Sequence, residues 1–318
     1  VANVPLMGQV SISKILRKDF LSYDIYIACT LAMFTLLAIV YYPKVANASN
    51  IISQDFLIAI VVAALIAINF LTKMPLATAL RRFYVIPVIW LLYDQVHMLV
   101  RVVNPADFDL MLIEADRAIF GLDPTAWFSL FSNPFLTEFL QICYFSFYIL
   151  PIMQAIELWK RGEIDKLDVF LRAIVFCYMV SYLAYFILPA VGPRFTLHKF
   201  DQLDVELPGL FLTSIFRSLV EVGGGIPLGA SNPVDIVNRD CMPSGHTMLT
   251  LVNIIMAFRL NSRFKWLFVV VGGSLIISTV YLRYHYVIDV LVGAVLAVIF
   301  LTLEPYVHRK LQNSTLRD

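Results

Sequence analysis

The sequence predicts an all-α, polytopic membrane protein, and three observations carry that prediction. Hydrophobic residues make up 60% of the 318 and charged residues only 15%, with a mean hydropathy of +0.79, far outside the range of water-soluble domains. Apolar residues gather in windows near the ~20 residues that a helix needs to cross a bilayer. Basic residues are unevenly shared among the segments that join these windows, as a fixed topology requires.

In chain order, eight windows are expected to span: Tyr23 to Tyr42, Ile51 to Leu71, Phe83 to Val103, Glu138 to Leu158, Val169 to Leu188, His246 to Leu260, Trp266 to Tyr281 and Val287 to Tyr306. Polar residues enter the third, and the sixth and seventh are short. The first lies too late and runs too long for a cleaved signal peptide. "PKVANASN" is a turn-rich connector between the first two, and "TKMPLATALRR" is a basic link to the third. From Phe83 onward, ionisable residues collect at helix ends and in loops on the opposite side of the membrane. Two of those loops are long. Asn104 to Thr137 places apolar residues at helical spacing between acids, which reads as a helix lying in the interface. Ala190 to Cys241 contains one short amphipathic helix within "LPGLFLTSIFRSLVEVGGG", and a loop of that length serves to lid or line a site. Its "GGG" reads as a hinge, with no phosphate-loop context around it.

Net charge is +1, from 24 basic and 23 acidic side chains, so there is no global field for nucleic acid and no nucleic-acid partner is expected. Sixteen of the 24 basic residues fall in five segments, around Lys14–Lys18, Lys73–Arg82, Lys160–Arg172, Arg259–Lys265 and Arg309–Arg317. The positive-inside rule puts these segments, and both termini, in the cytoplasm, which an even number of spans satisfies. Cys29, Cys143, Cys177 and Cys241 are scattered and make neither a disulfide framework nor a zinc pattern. Trp90, Trp127 and Trp266 are expected to anchor the chain at the membrane interface.

The chemistry-bearing residues lie on the predicted outer face. In "RDCMPSGHTMLTLVNIIMAF", Arg239 to Phe258, Pro243, Ser244 and Gly245 stand where helix capping would begin, so free backbone N–H groups point at whatever binds there and His246 stands beside them as a proton donor. In "STVYLRYHYVIDVLVG", His285 and Asp289 are four apart and share a face if helical, so the carboxylate can orient the imidazole as a nucleophile or base. Arg283 lies nearby. In "LPAVGPRFTL", Arg194 offers a permanently charged fork suited to phosphate oxygens. Each stretch alone is an ordinary helix cap or headgroup contact; three complementary stretches on one face point to a phosphate site. Asp94, His97 and Arg101 share one side of the third window and are a possible lining for a polar acceptor, or equally a salt cluster at a helix end.

Together, "PSGH", the later "HYVID" and the preceding Gly-Pro-Arg loop resemble the type-2 phosphatidic acid phosphatase superfamily, over about Phe83 to Tyr306. The resemblance implies a six-helix core, here in residues 76–318 with outer-face loops, and leaves residues 1–75 as an accessory pair of spans. It implies His285 as nucleophile on phosphorus, Asp289 as its orienting partner and His246 as proton donor to the leaving group. Ser244, Gly245, Arg194 and Arg283 would hold the phosphoryl oxygens, through a phosphohistidine intermediate with no metal and no cofactor. Two positions depart from the pattern: Ile187 stands where the family has a lysine, and Thr279 where it has an arginine. These changes, "ADRAIFGLDPTAWF" and the two extra spans are more similar to the inositol phosphorylceramide synthase branch.

The expected function is transfer of a phospho-headgroup from a lipid donor to an alcohol on the outer leaflet side. The alternative is a hydrolase acting on a phosphatidic acid-like or polyprenyl phosphate. A lipid transporter is the rival from another class, but its polar residues would gather at the membrane midplane instead of at one face.

Overall fold

The computed structural model describes residues 20–227 and 229–315. Lys14, Arg17, Lys18 and Arg317, assigned above to the cytoplasmic side, and residues 1–19 of the accessory pair lie outside the described residues.

The described chain is all-helical. Six helices are long and apolar enough to cross a membrane: α1 (Ser22–Val40), α2 (Ala48–Thr72), α3 (Pro75–Val103), α5 (Pro134–Lys160), α6 (Ile164–Tyr185) and α10 (Val287–Thr315). The two long connecting segments contribute α4 (Asp109–Phe120) and α7 (Thr213–Gly223). The sixth and seventh windows become α8 (Gly245–Arg259) and α9 (Lys265–Tyr281). At 15 and 17 residues these two are shorter than the six long helices, reaching about 22 and 26 Å at ~1.5 Å per residue.

Local sequence accounts for where the helices start. Asn133 caps α5 by accepting from Leu136 N at 2.9 Å, with Pro134 in the first turn, where its missing N–H costs nothing. Asp24 accepts from Leu21 N at 2.8 Å at the head of α1. The four N–H groups of Leu210, Phe211, Leu212 and Thr213, which open α7, all donate to the Glu138 carboxylate on α5.

α8 is the central helix, packed against α5, α6, α9 and α10, while α1 packs on α2, α3 and α6. One buried core joins Tyr23, Ile27, Phe34 and Ile51 of α1 and α2 to Leu92, Cys177, Met248, Val252 and Ala297 of the later helices. Buried polar groups tie α1 to this core: Asp24 pairs with Arg81 and accepts from Tyr84 Oη at 2.5 Å, and Tyr26 donates to Glu304 at 2.9 Å. Arg172 pairs with the same Glu304 at 2.5 Å, so these buried carboxylates each face a cation, as a low-dielectric setting demands. Phe56, Leu57, Ile60 and Leu71 on α2 face outward, as a lipid-facing surface would.

Candidate active site

The site forms where α8 begins, where α10 begins and where the loop after α6 docks on both. Ser244 caps α8: its Oγ accepts from Thr247 N at 3.2 Å and donates to Thr247 Oγ1 at 3.0 Å, and its N–H donates to Asp289 O at 3.1 Å. Gly245 opens the helix against Tyr185, where a Cβ would lie 2.5 Å from the phenol oxygen, so a larger residue would force the Tyr185 ring to shift. α10 begins at Val287, and its first amides are capped from another helix: Asp116 of α4 accepts from Val287 N at 2.9 Å and Ile288 N at 2.7 Å.

His285 therefore precedes α10 by two residues, and its pairing with Asp289 joins a loop residue to the first turn, in place of the within-helix pair the spacing suggested. The loop makes this contact because Tyr284 N and His285 N both donate to Thr279 O at 2.9 Å. Nδ1 of His285 lies 3.1 Å from Asp289 Oδ2 and 3.0 Å from Cys241 O. Both neighbours are acceptors, so Nδ1 carries the proton and Nε2 presents a lone pair. Nε2 faces Nδ1 of His246 at 3.3 Å, which assigns the other proton to His246 Nδ1. His285 is 4% exposed and Asp289 fully buried, so the imidazole has little freedom to turn. The Cys241 thiol donates to Asp289 Oδ2 at 2.8 Å. Burial, and then the charges of Asp289 and Asp109, push that thiol well above its ordinary range, so it remains protonated.

Aromatic rings hold the second histidine and the arginine. His246 stacks on Tyr144 at 4.6 Å and packs against Phe147; Tyr144 stacks on Tyr284 at 4.3 Å; and the Arg194 guanidinium lies over Tyr284 at 4.9 Å. Arg194 is held by its backbone N–H, which donates to Arg283 O at 3.0 Å, and its buried Nη1 has no hydrogen-bond partner. Gly192 makes this docking feasible: at φ +97° its Cβ would meet Tyr284 O at 2.7 Å.

A cavity of about 600 Å³ brings together His285, His246, Arg194, Cys241, Asp94, His97 and Asp240. A second cavity of about 400 Å³ is almost wholly apolar and runs between α3, α5 and α6. The two meet at Trp90, Tyr93, Tyr148, Asp240 and His246.

Other residues singled out from the sequence are placed elsewhere. Ser244 is fully buried in its capping role, and Gly245 lines the apolar cavity. Arg283 turns away at φ +65°, pairs with Glu206 and donates to Ser129 Oγ at 2.9 Å. Arg101 donates to Val234 O at 3.4 Å and does not line the cavity. Asp240 and Tyr93, which the sequence reading passed over, do line it, with Tyr93 Oη donating to Asp240. An acid six residues before His246, in the same stretch, was the signal available.

Cys241 Sγ, His285 Nδ1 and Asp289 Oδ2 lie within 4.8 Å of one another, a spacing a cation could use. The sequence shows no metal-ligand pattern; the fold creates this cluster by bringing residues 241 and 285 together. The thiol, Nδ1 and Asp289 Oδ2 are joined by hydrogen bonds, as in a proton network, while the buried Asp289 Oδ1 has no partner.

An imidazole with Nδ1–H fixed by a buried carboxylate and Nε2 at the wall of a cavity can attack an electrophile such as phosphorus once His246 yields its place, and Arg194 can bind its oxygens. No curated protein and no solved structure matches the chain. A family model described as the PAP2 superfamily matches residues 110–303, which include Arg194, His246, His285 and Asp289. That match covers more than half of the sequence, and the chain belongs to the PAP2 superfamily.

Proposed function

We propose that this protein is a metal-independent lipid phosphotransferase of the inositol phosphorylceramide synthase-like kind, which moves a phospho-headgroup from a phosphodiester lipid to an alcohol through a phosphohistidine. Membership of a superfamily of lipid phosphate chemistry supports the general reaction, and the helices of a multi-pass membrane protein support a lipid substrate. In the first step the Nε2 lone pair of His285 attacks phosphorus. One ester P–O bond breaks, and His246, protonated on both nitrogens beside the bound phosphate anion, gives one proton to the leaving oxygen and becomes neutral. Phosphorus enters where the two rings now touch, so His246 gives way as substrate binds. In the second step an alcohol oxygen attacks, the P–N bond breaks with its electron pair returning to Nε2, and the hydroxyl proton passes to His246. Asp289 stabilises the charge on His285 throughout. The lipid chain of the donor lies in the apolar cavity, and the polar cavity opens to the outer face, with both termini cytoplasmic.

The observation that carries the choice of a diester is charge. Among the described residues lining the polar cavity, Arg194 alone bears a fixed positive charge, against the carboxylates of Asp94 and Asp240. The two further cations expected from the family pattern are Ile187 and Thr279 here, and Arg283 is engaged by Glu206. One arginine can pair with the single charge of a phosphodiester, whereas the second charge of a monoester dianion would face the carboxylates of Asp94 and Asp240 with no further cation in a partly buried site. The test is to incubate purified protein with diester and monoester lipids, with and without alcohols, and identify products by mass spectrometry. A new diester containing the added alcohol is expected. Release of inorganic phosphate from monoester lipids at a rate indifferent to alcohol would replace this reading with that of a hydrolase.

A further inference from the structure

The wall of the polar cavity opposite Arg194 has the chemistry of a second binding site. Both ring nitrogens of His97 are buried and have no hydrogen-bond partner in the protein. Its ring is fixed edge-on to Tyr93, with centroids 4.3 Å apart, so the nitrogens cannot easily turn to find one. A buried imidazole left this way loses the hydration of a donor and an acceptor, a cost that persists unless a ligand restores both bonds. Asp240 lies beside it, oriented by the Tyr93 hydroxyl, and the exposed carboxylate of Asp94 lines the same wall three residues before His97. The aromatic faces of Trp90 and Tyr148, 5.5 Å apart, border this wall where the apolar cavity begins.

The geometry points to an acceptor subsite in which His97, Asp240 and Asp94, positioned by Tyr93, bind the hydroxyls of a neutral polyol; this rests on the transferase reading above. A hydroxyl both donates and accepts, which is what the two nitrogens of a neutral imidazole require. Carboxylates accept further hydroxyl protons and repel a second phosphate, so the two ends of the cavity sort donor from acceptor by charge. An ammonium would satisfy the carboxylates but offers no acceptor to the imidazole N–H. With one hydroxyl held near His246, its oxygen attacks phosphorus, its proton goes to His246, and the P–N bond to His285 breaks.

The test separates the two substrates. The full chain in lipid nanodiscs is assayed with a fluorescent phosphodiester lipid and a polyol series from glycerol to a hexitol, with choline as the cationic control. His97→Gln, Asp240→Asn and Asp94→Asn are each expected to raise the acceptor KM about tenfold or more, while the donor KM stays within about twofold. Asp94 is exposed, so its variant answers the question even if the two half-buried ones fold poorly. Unmoved acceptor KM values in an active transferase, or equal shifts for both substrates, overturn the subsite and leave the transferase reading intact. Preference for choline over the polyols overturns the neutral class. A wild type that cleaves lipid but transfers to no alcohol overturns the transferase reading, and the subsite with it.

Discussion

The Cys241 thiol and the Asp289 carboxylate, 48 positions apart in sequence, are joined by a 2.8 Å hydrogen bond to the same oxygen that faces His285 Nδ1. Asp289 therefore divides its charge between a thiol and an imidazole. Cys241→Ser keeps a donor and is expected to retain most activity. Cys241→Ala removes it; loss of a hydrogen bond to a charged group costs about 1.5–3 kcal/mol, to be seen as a lower thermal midpoint and a shifted pH–rate profile. Because the Cys241 thiol and His285 Nδ1 are both hydrogen-bonded to Asp289 Oδ2, EDTA treatment is expected to leave the rate unchanged, and recovery of a lost rate by one added divalent metal would refute a metal-free site.

The two histidines are expected to separate by leaving group. His285→Ala removes activity on every substrate and abolishes any acid-labile phosphoenzyme. His246→Ala slows alkoxide departure by about 10²–10⁴-fold, yet spares a nitrophenyl diester whose leaving group needs no proton. Asp289→Asn folds but loses a comparable factor, since the amide no longer selects the Nδ1–H tautomer. Single-turnover kinetics with radiolabelled donor distinguish these cases; full activity in His285→Ala contradicts the mechanism.

Arg194 is the third test. Lysine in its place keeps the charge but loses the planar fork and its stacking on Tyr284, so Arg194→Lys is expected to lower kcat/KM by about 10–100-fold. A variant equal to wild type would show that phosphate is held elsewhere.

His198 supplies a pH dependence of stability. Its Nε2 lies 2.9 Å from Thr125 Oγ1. Burial, and then the Arg283 charge, lower its pKa from 6.5 to about 4, outweighing Glu206 and Asp123. As pH falls below about 6.5 the unfolded chain takes up a proton that the folded chain refuses, so this contribution is intact above 6.5 and is lost progressively down to about 4. Thermal unfolding in detergent should show that slope, and His198→Gln should flatten it.

The orientation of the chain is open to labelling. In a background free of competing thiols, a cysteine introduced between Lys160 and Lys166 is expected to resist impermeant reagents in intact cells, and one near His198 to react. The reverse pattern would place the cavity on the cytoplasmic side.

Much of the helical architecture was legible in the sequence, because hydrophobic periodicity and capping residues act over a few positions. The six long apolar helices, the helix α4, the amphipathic α7 and the cap at Ser244 all follow from such local signals. The closeness of His285 and Asp289 was legible too, although the contact crosses from a loop into a first turn. What neighbours they acquire is decided by packing over long separations. Asp240 and Cys241 reach the site because the end of the long loop after α6 folds back onto the start of α10, and His97 because α3 presents that face to the cavity. Arg283 resembled a phosphate ligand by position, but a left-handed backbone and the Glu206 carboxylate draw its side chain away from the cavity. Spacing along a chain fixes which side chains share a face of one helix; only the docking of helices and loops determines which of those faces enclose the same space.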